Sequence, residues 1–354
     1  MKIEINKNYL GENAYLFKNN HEEITATTNI IIFHHNDADG YCSGFLAHKY
    51  FENLGCVNIK TYACNYTTDF NSFYINRGDI VCLLDLSFTK DTFHYLYDLY
   101  EKSRKIIWID HHESSIDLLE NSDKLKSISN DFIILGLGSR ENKISAAMMC
   151  YQIFFKNNNP QSAPLFIQFV SDWDTWTHDI KDSIVFNSAI SKQMNLKVSN
   201  NNHVDYDPNN VWEQLWDENN RYQALLKFDS LIEEARPIVE AERKEQQIYL
   251  NSNKIRANLF GYNILACNRR ANSLLFGEEY KKYDIVCPFV CKEVNGQIIY
   301  VYSLFSNSVN CKEIAEKFGG GGHKGAAGFQ LKYNIFTTNK FILKLKMWLK
   351  IGRI

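Results

Sequence analysis

Between residues 29 and 112 the chain repeats one pattern: a short apolar run, a cluster of acids and histidines, then a stretch of helical spacing. Asn29-Ile30-Ile31-Ile32-Phe33 is β-branched and unbroken after its first residue, as a strand buried on both faces is. It runs into His34-His35-Asn36-Asp37-Ala38-Asp39-Gly40, and Tyr41 to Tyr50 then suits a helix, giving half of a βαβ unit. Val57 to Tyr62 predicts a second strand, and Gly78 to Ser87 a third, whose apolar run stops at Asp85. A helix is expected through Thr92 to Lys102. Ile106-Ile107-Trp108-Ile109 then predicts a buried strand that ends in Asp110-His111-His112. Asp131 to Gly138 reads as a further strand and Ile144 to Phe155 as a helix packed on the sheet. Leu165 to Trp176 is an apolar helix or strand that ends in Asp172 and Asp174.

The pattern changes beyond residue 195. An Asn-rich loop to about residue 210 precedes a segment, 212 to 250, of helical propensity and spacing, in which Pro237 either kinks the helix or starts the next one. Tyr262 to Cys267, Ile285 to Val294 and Ile298 to Leu304 predict strands, with Asn295-Gly296 as the hairpin turn between the last two. Cys311 to Lys317 is helix-like. Asn339 to Ile354 forms a basic amphipathic helix suited to core packing or a dimer contact. The plan is α/β: an extension over 1–28, a parallel-sheet, Rossmann-like domain over 29–195, a helical connector over 196–255, and a smaller α/β domain with a mixed sheet over 256–354.

Composition narrows the reading. A chain of 354 residues is long enough for two domains, and 45% hydrophobic with 23% charged residues is ordinary for a globular protein. The net charge of −2 excludes a polycation, so any nucleic-acid contact must be local. Nine scattered cysteines fit a reducing cytoplasm. Cys42, Cys82, Cys150 and Cys267 sit in apolar surroundings, and Cys287 and Cys291 have no second pair to complete a zinc site. No apolar run approaches the roughly 18 residues of a membrane span.

One acid after a strand is commonplace as a helix cap. Three strand ends with ligand-type residues within 84 residues, 29–112, are harder to dismiss. Ligands of open α/β sheets sit at the carboxyl ends of strands, and imidazole with carboxylate suits Mn²⁺, Zn²⁺ or Fe²⁺ better than Ca²⁺. Asp37 and Asp39, two residues apart, could address two adjacent cations. In the last domain, Gly319-Gly320-Gly321-Gly322 could turn successive N–H groups toward an anion, with His323 and Lys324 beside them. The stretch matches neither a P-loop nor a dinucleotide fingerprint.

Taken together, His34 to Gly40, Leu84-Asp85-Leu86-Ser87, Asp110-His111-His112, Ser171-Asp172 and the glycine-rich Gly319 to Gly328 resemble, in order, the motifs of the DHH phosphoesterase family with its C-terminal DHHA1 domain. The overall plan is similar to the RecJ-like nucleases and nanoRNA oligoribonucleases. The resemblance implies two metal ions, Mn²⁺ with Mg²⁺ as the alternative, in a cleft between the domains. It implies that Asp37, Asp39, Asp85, His111 and Asp172 are ligands, with Asp85 bridging. The first-motif ligand would be His34, with His35 as the close alternative, and Asp174 is the second candidate beside Asp172. His112 would contact the scissile phosphate, Asp110 would orient its neighbours, and Gly320, Gly321, Gly322 and His323 would hold a substrate phosphate. Where many relatives carry an arginine, this chain has Phe305 in Ser303-Leu304-Phe305-Ser306; Arg269 or Arg270 could compensate. The expected activity is hydrolysis of short single-stranded RNA or DNA, or of linear dinucleotides. A RecJ-like DNA exonuclease and a polyphosphate hydrolase are the alternatives.

Overall fold

The computed structural model describes residues 24–338 apart from 66–67, 89–90, 113–114, 116–117, 119–120, 125–131, 135–143, 156–158, 196–202, 208, 217–219 and 323. The amphipathic helix expected over 339–354, most of the extension over 1–28, and His323 lie outside the described residues. The chain divides into two compact units between Pro237 and Ile238.

The first unit is built on a parallel sheet of five strands: β1 (Asn29–His35), β2 (Asn58–Cys64), β3 (Ile80–Leu84), β4 (Lys105–Ile109) and β5 (Phe132–Ile134), in the order β2-β1-β3-β4-β5. Its helices are α1 (Ala38–Asn53), α2 (His94–Lys102), α3 (Ala146–Phe154), α4 (Leu165–Asp174), α5 (Ser183–Asn195), α6 (Val211–Trp216) and the first part of α7 (Arg221–Asn253). β3 is buried throughout, as its unbroken apolar run requires of a strand covered on both faces. Side chains of a strand alternate between faces. Ile31 and Phe33, Val81 and Leu83, and Ile106 and Trp108 therefore build one core layer with Leu96 and Leu99 of α2. Trp108 is fully buried, and its indole N–H donates to the carbonyl of Leu86 at 2.8 Å.

The strand order fixes where a ligand can sit. The chain leaves β1 for β2 on one side and returns to β3 on the other, so the winding reverses between β1 and β3. That switch point opens a crevice outside the carboxyl ends of the strands. β1, β3 and β4 lie side by side and are the strands whose ends carry the acids and histidines.

The second unit holds a mixed sheet of six strands: β6 (Lys254–Leu259), β7 (Tyr262–Asn268), β8 (Ile285–Val294), β9 (Gln297–Phe305), β10 (Gly321–Gly322) and β11 (Ala326–Leu331). The helix α8 (Cys311–Lys317) packs on it through Ile314 and Ala315. Asn295 and Gly296 both have positive φ, 50° and 74°, and Val294 faces Gln297 across them, as a two-residue hairpin turn of the primed type demands. Pro237 lies inside the 33-residue α7 rather than starting a new helix. α5, α6, β6 and β11 had no strong sequence pattern of their own. Among the described residues, no helix is long and apolar enough to cross a membrane.

Candidate metal centre

The end of β1 carries two histidines, and alternation sends them to opposite faces. His34 is fully buried in the layer beneath α1. Its Nδ1 lies 2.8 Å from the carbonyl of His35, and its ring packs on Tyr41 at 4.6 Å. Gly44 makes the room, since a Cβ there would lie 2.4 Å from His34 Cδ2. Burial pushes the His34 imidazole down to about 4, so it is neutral. His35 faces the crevice. Its Nδ1 is 2.7 Å from Asp37 Oδ2 and 3.6 Å from Asp85 Oδ2. Burial alone would lower its pKa, but its hydrogen bond to Asp37 and the charges of Asp37 and Asp85 outweigh that and raise it to about 10. His35, rather than the preferred His34, therefore joins the acids.

Asp37 caps α1 by accepting the N–H of Gly40 at 2.9 Å. A Cβ on Gly40 would stand 2.1 Å from the carbonyl oxygen of His35, so the turn closes only with glycine there. Burial would raise the Asp37 carboxyl, yet its His35 partner holds it at about 2. Asp39 is buried and reaches across to α3, accepting the N–H of Ala146 at 2.8 Å and of Ala147 at 2.9 Å. A carboxylate at a helix N-terminus satisfies N–H groups that have no partner within the helix. Burial nonetheless raises the Asp39 pKa.

Asp85 follows β3 with φ of 57°, a conformation few non-glycine residues adopt. Its N–H donates to the carbonyl of Ile109 at 2.8 Å, which ties the ends of β3 and β4 together. The side chain is buried, and neither carboxylate oxygen has a hydrogen-bond partner. Burial, followed by repulsion from Asp37 and Asp39, pushes its pKa well above the usual carboxylate range.

Beyond β4, Asp110 is buried and acts as a hub. It accepts its neighbour's N–H, from His111, at 3.0 Å and the hydroxyl of Ser115, and lies 2.7 Å from His112 Nδ1. Burial opposes ionisation of Asp110, but attraction to His112 lowers its pKa below the ordinary value. His111 points its Nε2 at three acids: Asp174 Oδ2 at 3.1 Å, Asp85 Oδ1 at 3.3 Å and Asp39 Oδ2 at 3.8 Å.

The acids at the end of α4 divide as two positions on a helix must, because residues two apart do not share a face. Asp174 meets His111, and burial raises its pKa well above normal. Asp172, the preferred candidate, turns the other way and accepts the N–H groups of Asp179 at 2.8 Å and Ile180 at 3.2 Å. The structure therefore brings Asp37, Asp39, Asp85, His111 and His112 together as expected residues, adds His35 and Asp174, and leaves His34 and Asp172 in bracing positions. Ser115 and the N–H groups of Ala146 and Ala147 had no sequence pattern to mark them.

Among the described residues, three sets of ligand atoms each lie within 4.8 Å of one another: His35-Asp37-Asp85, Asp85-His111-His112 and Asp39-His111-Asp174. Asp85 and His111 each belong to two sets. Four carboxylates face one crevice, and one of them is buried with neither oxygen hydrogen-bonded, a set that favours added positive charge. Oxygen and imidazole donors without thiolate suit a divalent ion of the Mn²⁺, Fe²⁺ or Zn²⁺ kind.

In the second unit the glycines do different work from an open anion cradle. Gly319, with φ of 82°, ends α8, and the N–H groups of Gly319 and Gly320 donate to Glu316 and Ala315 at 3.0 Å each. That commits the Gly320 amide to the helix end. Gly320 also packs directly on Phe329. Gly321 and Gly322 form an exposed edge strand paired with β11. Phe305 packs in the cluster of Leu250, Leu265 and Phe276. Arg269 lies over the ring of Tyr249 and pairs with Glu245 at 3.2 Å.

Residues 29–167 match the model of the DHH family, N-terminal domain. Uncharacterized protein R106 of Acanthamoeba polyphaga mimivirus is 22% identical over 313 residues, which are 84% of this chain and 66% of that one, so the chain spans just under two thirds of that relative. Among solved structures, the DHH domain of a member of a family of ribosomal proteins matches with a TM-score of 0.51 at 13% identity, over 90% of this chain and 85% of that one. An exopolyphosphatase-related protein from Bacteroides fragilis gives 0.49 at 15% identity, over 96% and 98%. The matched region, residues 29–167, contains the ends of β1, β3 and β4 and every histidine of the cluster, and it is this part of the chain that is similar to the DHH family.

Proposed function

We propose that this chain is a divalent-metal-dependent phosphodiesterase that hydrolyses short single-stranded RNA or DNA, or linear dinucleotides, to mononucleotides, with two Mn²⁺ ions or Mg²⁺ in their place. One observation carries the reading. Asp85 is a buried carboxylate in a left-handed backbone conformation, has no hydrogen-bond partner, and is shared by two of the three ligand sets. A structural acid would be capped or exposed; strain and desolvation of this kind collect where function requires them.

In this proposal His35, Asp37, Asp39, Asp85, His111 and Asp174 would hold the ions. A bound pair of divalent ions lowers the pKa of a water to near neutrality and offsets charge on the phosphoryl oxygens. Asp39 keeps its position through the N–H groups of Ala146 and Ala147. Asp110 fixes the His112 ring through Nδ1, which leaves Nε2 to donate a proton to a phosphoryl oxygen. Attraction to Asp110 raises the His112 pKa against the effect of burial, which favours the protonated ring. Gly321, Gly322 and His323 remain the candidates for holding a terminal phosphate, with Gly320 removed from that set.

The experiment is hydrolysis of 5′-labelled RNA and DNA, from dinucleotides to strands several times longer, with and without Mn²⁺. Metal-dependent conversion of dinucleotides to mononucleotides, with long strands spared, supports the proposal. Stepwise digestion of long DNA would move the activity to an exonuclease. Turnover of polyphosphate alone would remove nucleic acid as the substrate.

A further inference from the structure

We infer that Trp176 is a nucleobase-stacking platform beside the metal centre, a deduction that rests on the nucleotide substrate proposed above. The turn after α4 holds several residues in a left-handed backbone conformation. Trp176, His178 and Asp182 all have positive φ, of 57°, 55° and 70°, and none is glycine. Such residues persist only where the surroundings over-determine them, and they cluster at ligand clamps. Here the surroundings do so from both ends. Asp172 holds the N–H groups of Asp179 and Ile180 with its side chain and that of Thr177 with its carbonyl. Arg236 grips both oxygens of Asp182, at 2.7 and 3.1 Å.

The turn presents an aromatic face. The Trp176 ring rests on Trp173 at 5.2 Å and His178 at 4.5 Å, yet 37% of the residue stays exposed. A tryptophan serving only the core would be buried among these neighbours. Trp176 follows Asp174 by two residues, so at most about 7.6 Å separate their Cα atoms. Asp174 itself lies 3.1 Å from His111. A phosphate drawn to the metal centre thus brings its base within reach of this ring, and every base has a π-face to offer it.

The test measures AMP and ribose 5-phosphate binding by titration calorimetry with Mn²⁺ present, for wild type, Trp176→Phe and Trp176→Ala. Wild type should prefer AMP by about 5- to 150-fold, the range of one base–aromatic stack. W176A should erase that preference and W176F should keep most of it. Ribose 5-phosphate affinity and the Mn²⁺-induced rise in Tm should be the same in all three. A wild type with no preference for AMP, or a W176A loss equal for both ligands, overturns the inference. An intact AMP preference without phosphodiester turnover would remove the proposed function and leave the stacking site standing. Turnover with AMP binding unchanged in W176A would do the reverse.

Discussion

Asp110 holds His112 by a contact of 2.7 Å between Oδ1 and Nδ1, and Asp110 is itself held by Ser115 and the N–H of His111. A buried carboxylate with three donors on it sets the orientation and protonated nitrogen of the ring it touches. Asp110→Asn keeps the shape and loses the charge. It should lower kcat about 10- to 100-fold, the usual cost of removing such a support, while the Mn²⁺-induced rise in Tm stays near wild type. A steady-state assay beside a thermal melt separates the two readouts.

Asp85 predicts an opposition between stability and function. Its ionised form is disfavoured by burial and by its acidic neighbours, and its φ of 57° is better tolerated by asparagine than by alanine. Asp85→Asn should therefore leave the metal-free protein at least as stable as wild type. It should also abolish the metal-induced rise in Tm, which for a ligand at 100 times its Kd is about 2.7 kcal/mol of stability. Urea unfolding with EDTA and with Mn²⁺ reads both effects. A destabilised metal-free variant that still gained stability from Mn²⁺ would contradict the assignment.

The paired candidates at β1 and α4 separate by mutation. Asp174→Ala should weaken Mn²⁺ binding without a large loss of metal-free stability, whereas His35→Ala should weaken Mn²⁺ binding and also remove the stability that its pairing with Asp37 gives the metal-free protein. His34→Ala leaves a cavity beside Tyr41 and Gly44 and should cost about 2 kcal/mol or more. Asp172→Ala frees two backbone N–H groups and should loosen the turn that carries Trp176. Mn²⁺ titration with thermal melts of the four variants distinguishes ligands from braces.

Proton linkage offers a further check. In the metal-free protein His35 has a pKa raised to about 10 by Asp37 and Asp85, so its proton must leave for the ring to bind an ion. Mn²⁺ binding at pH 7 should release protons, and affinity should rise with pH up to about 10. The metal-free pair has the opposite sign. The raised His35 value gives stability that is complete below its unfolded value near 6.5 and is lost as pH rises through about 10. The depressed Asp37 value gives stability present above 3.8 and lost as pH falls through about 2. Calorimetry in buffers of different ionisation enthalpy counts the protons, and His35→Ala should reduce that count.

The sheet was legible in the sequence because each buried strand is an unbroken apolar run that stops at a polar cluster. The crevice followed from those stops, at Asp85 and Asp110 as much as at Asp37. What the pattern could not settle was which of two neighbouring candidates turns inward. His34 and His35 are adjacent on one strand, so a single step of register exchanges a buried, neutral ring for a site residue. Asp172 and Asp174 differ by two positions on a helix, and only the packing of α4 decides which meets His111. The glycine run was ambiguous for a related reason: an anion cradle and a helix end followed by an edge strand call for the same residues, and here α8 takes the Gly319 and Gly320 amides. Asp39 was expected to face a cation, but its hold on α3, more than a hundred residues away, had no local pattern.

The most direct measurement compares wild type and Asp85→Asn for hydrolysis of a linear RNA dinucleotide, each with EDTA and with Mn²⁺, after thermal melts establish that both are folded. The account predicts turnover to mononucleotides by wild type with Mn²⁺ alone. It predicts a loss on the order of 10³-fold or more in the variant, as removal of about 4 kcal/mol of transition-state stabilisation would give. Turnover that survives EDTA, or a variant that cleaves at near the wild-type rate, would contradict a metal centre built on Asp85.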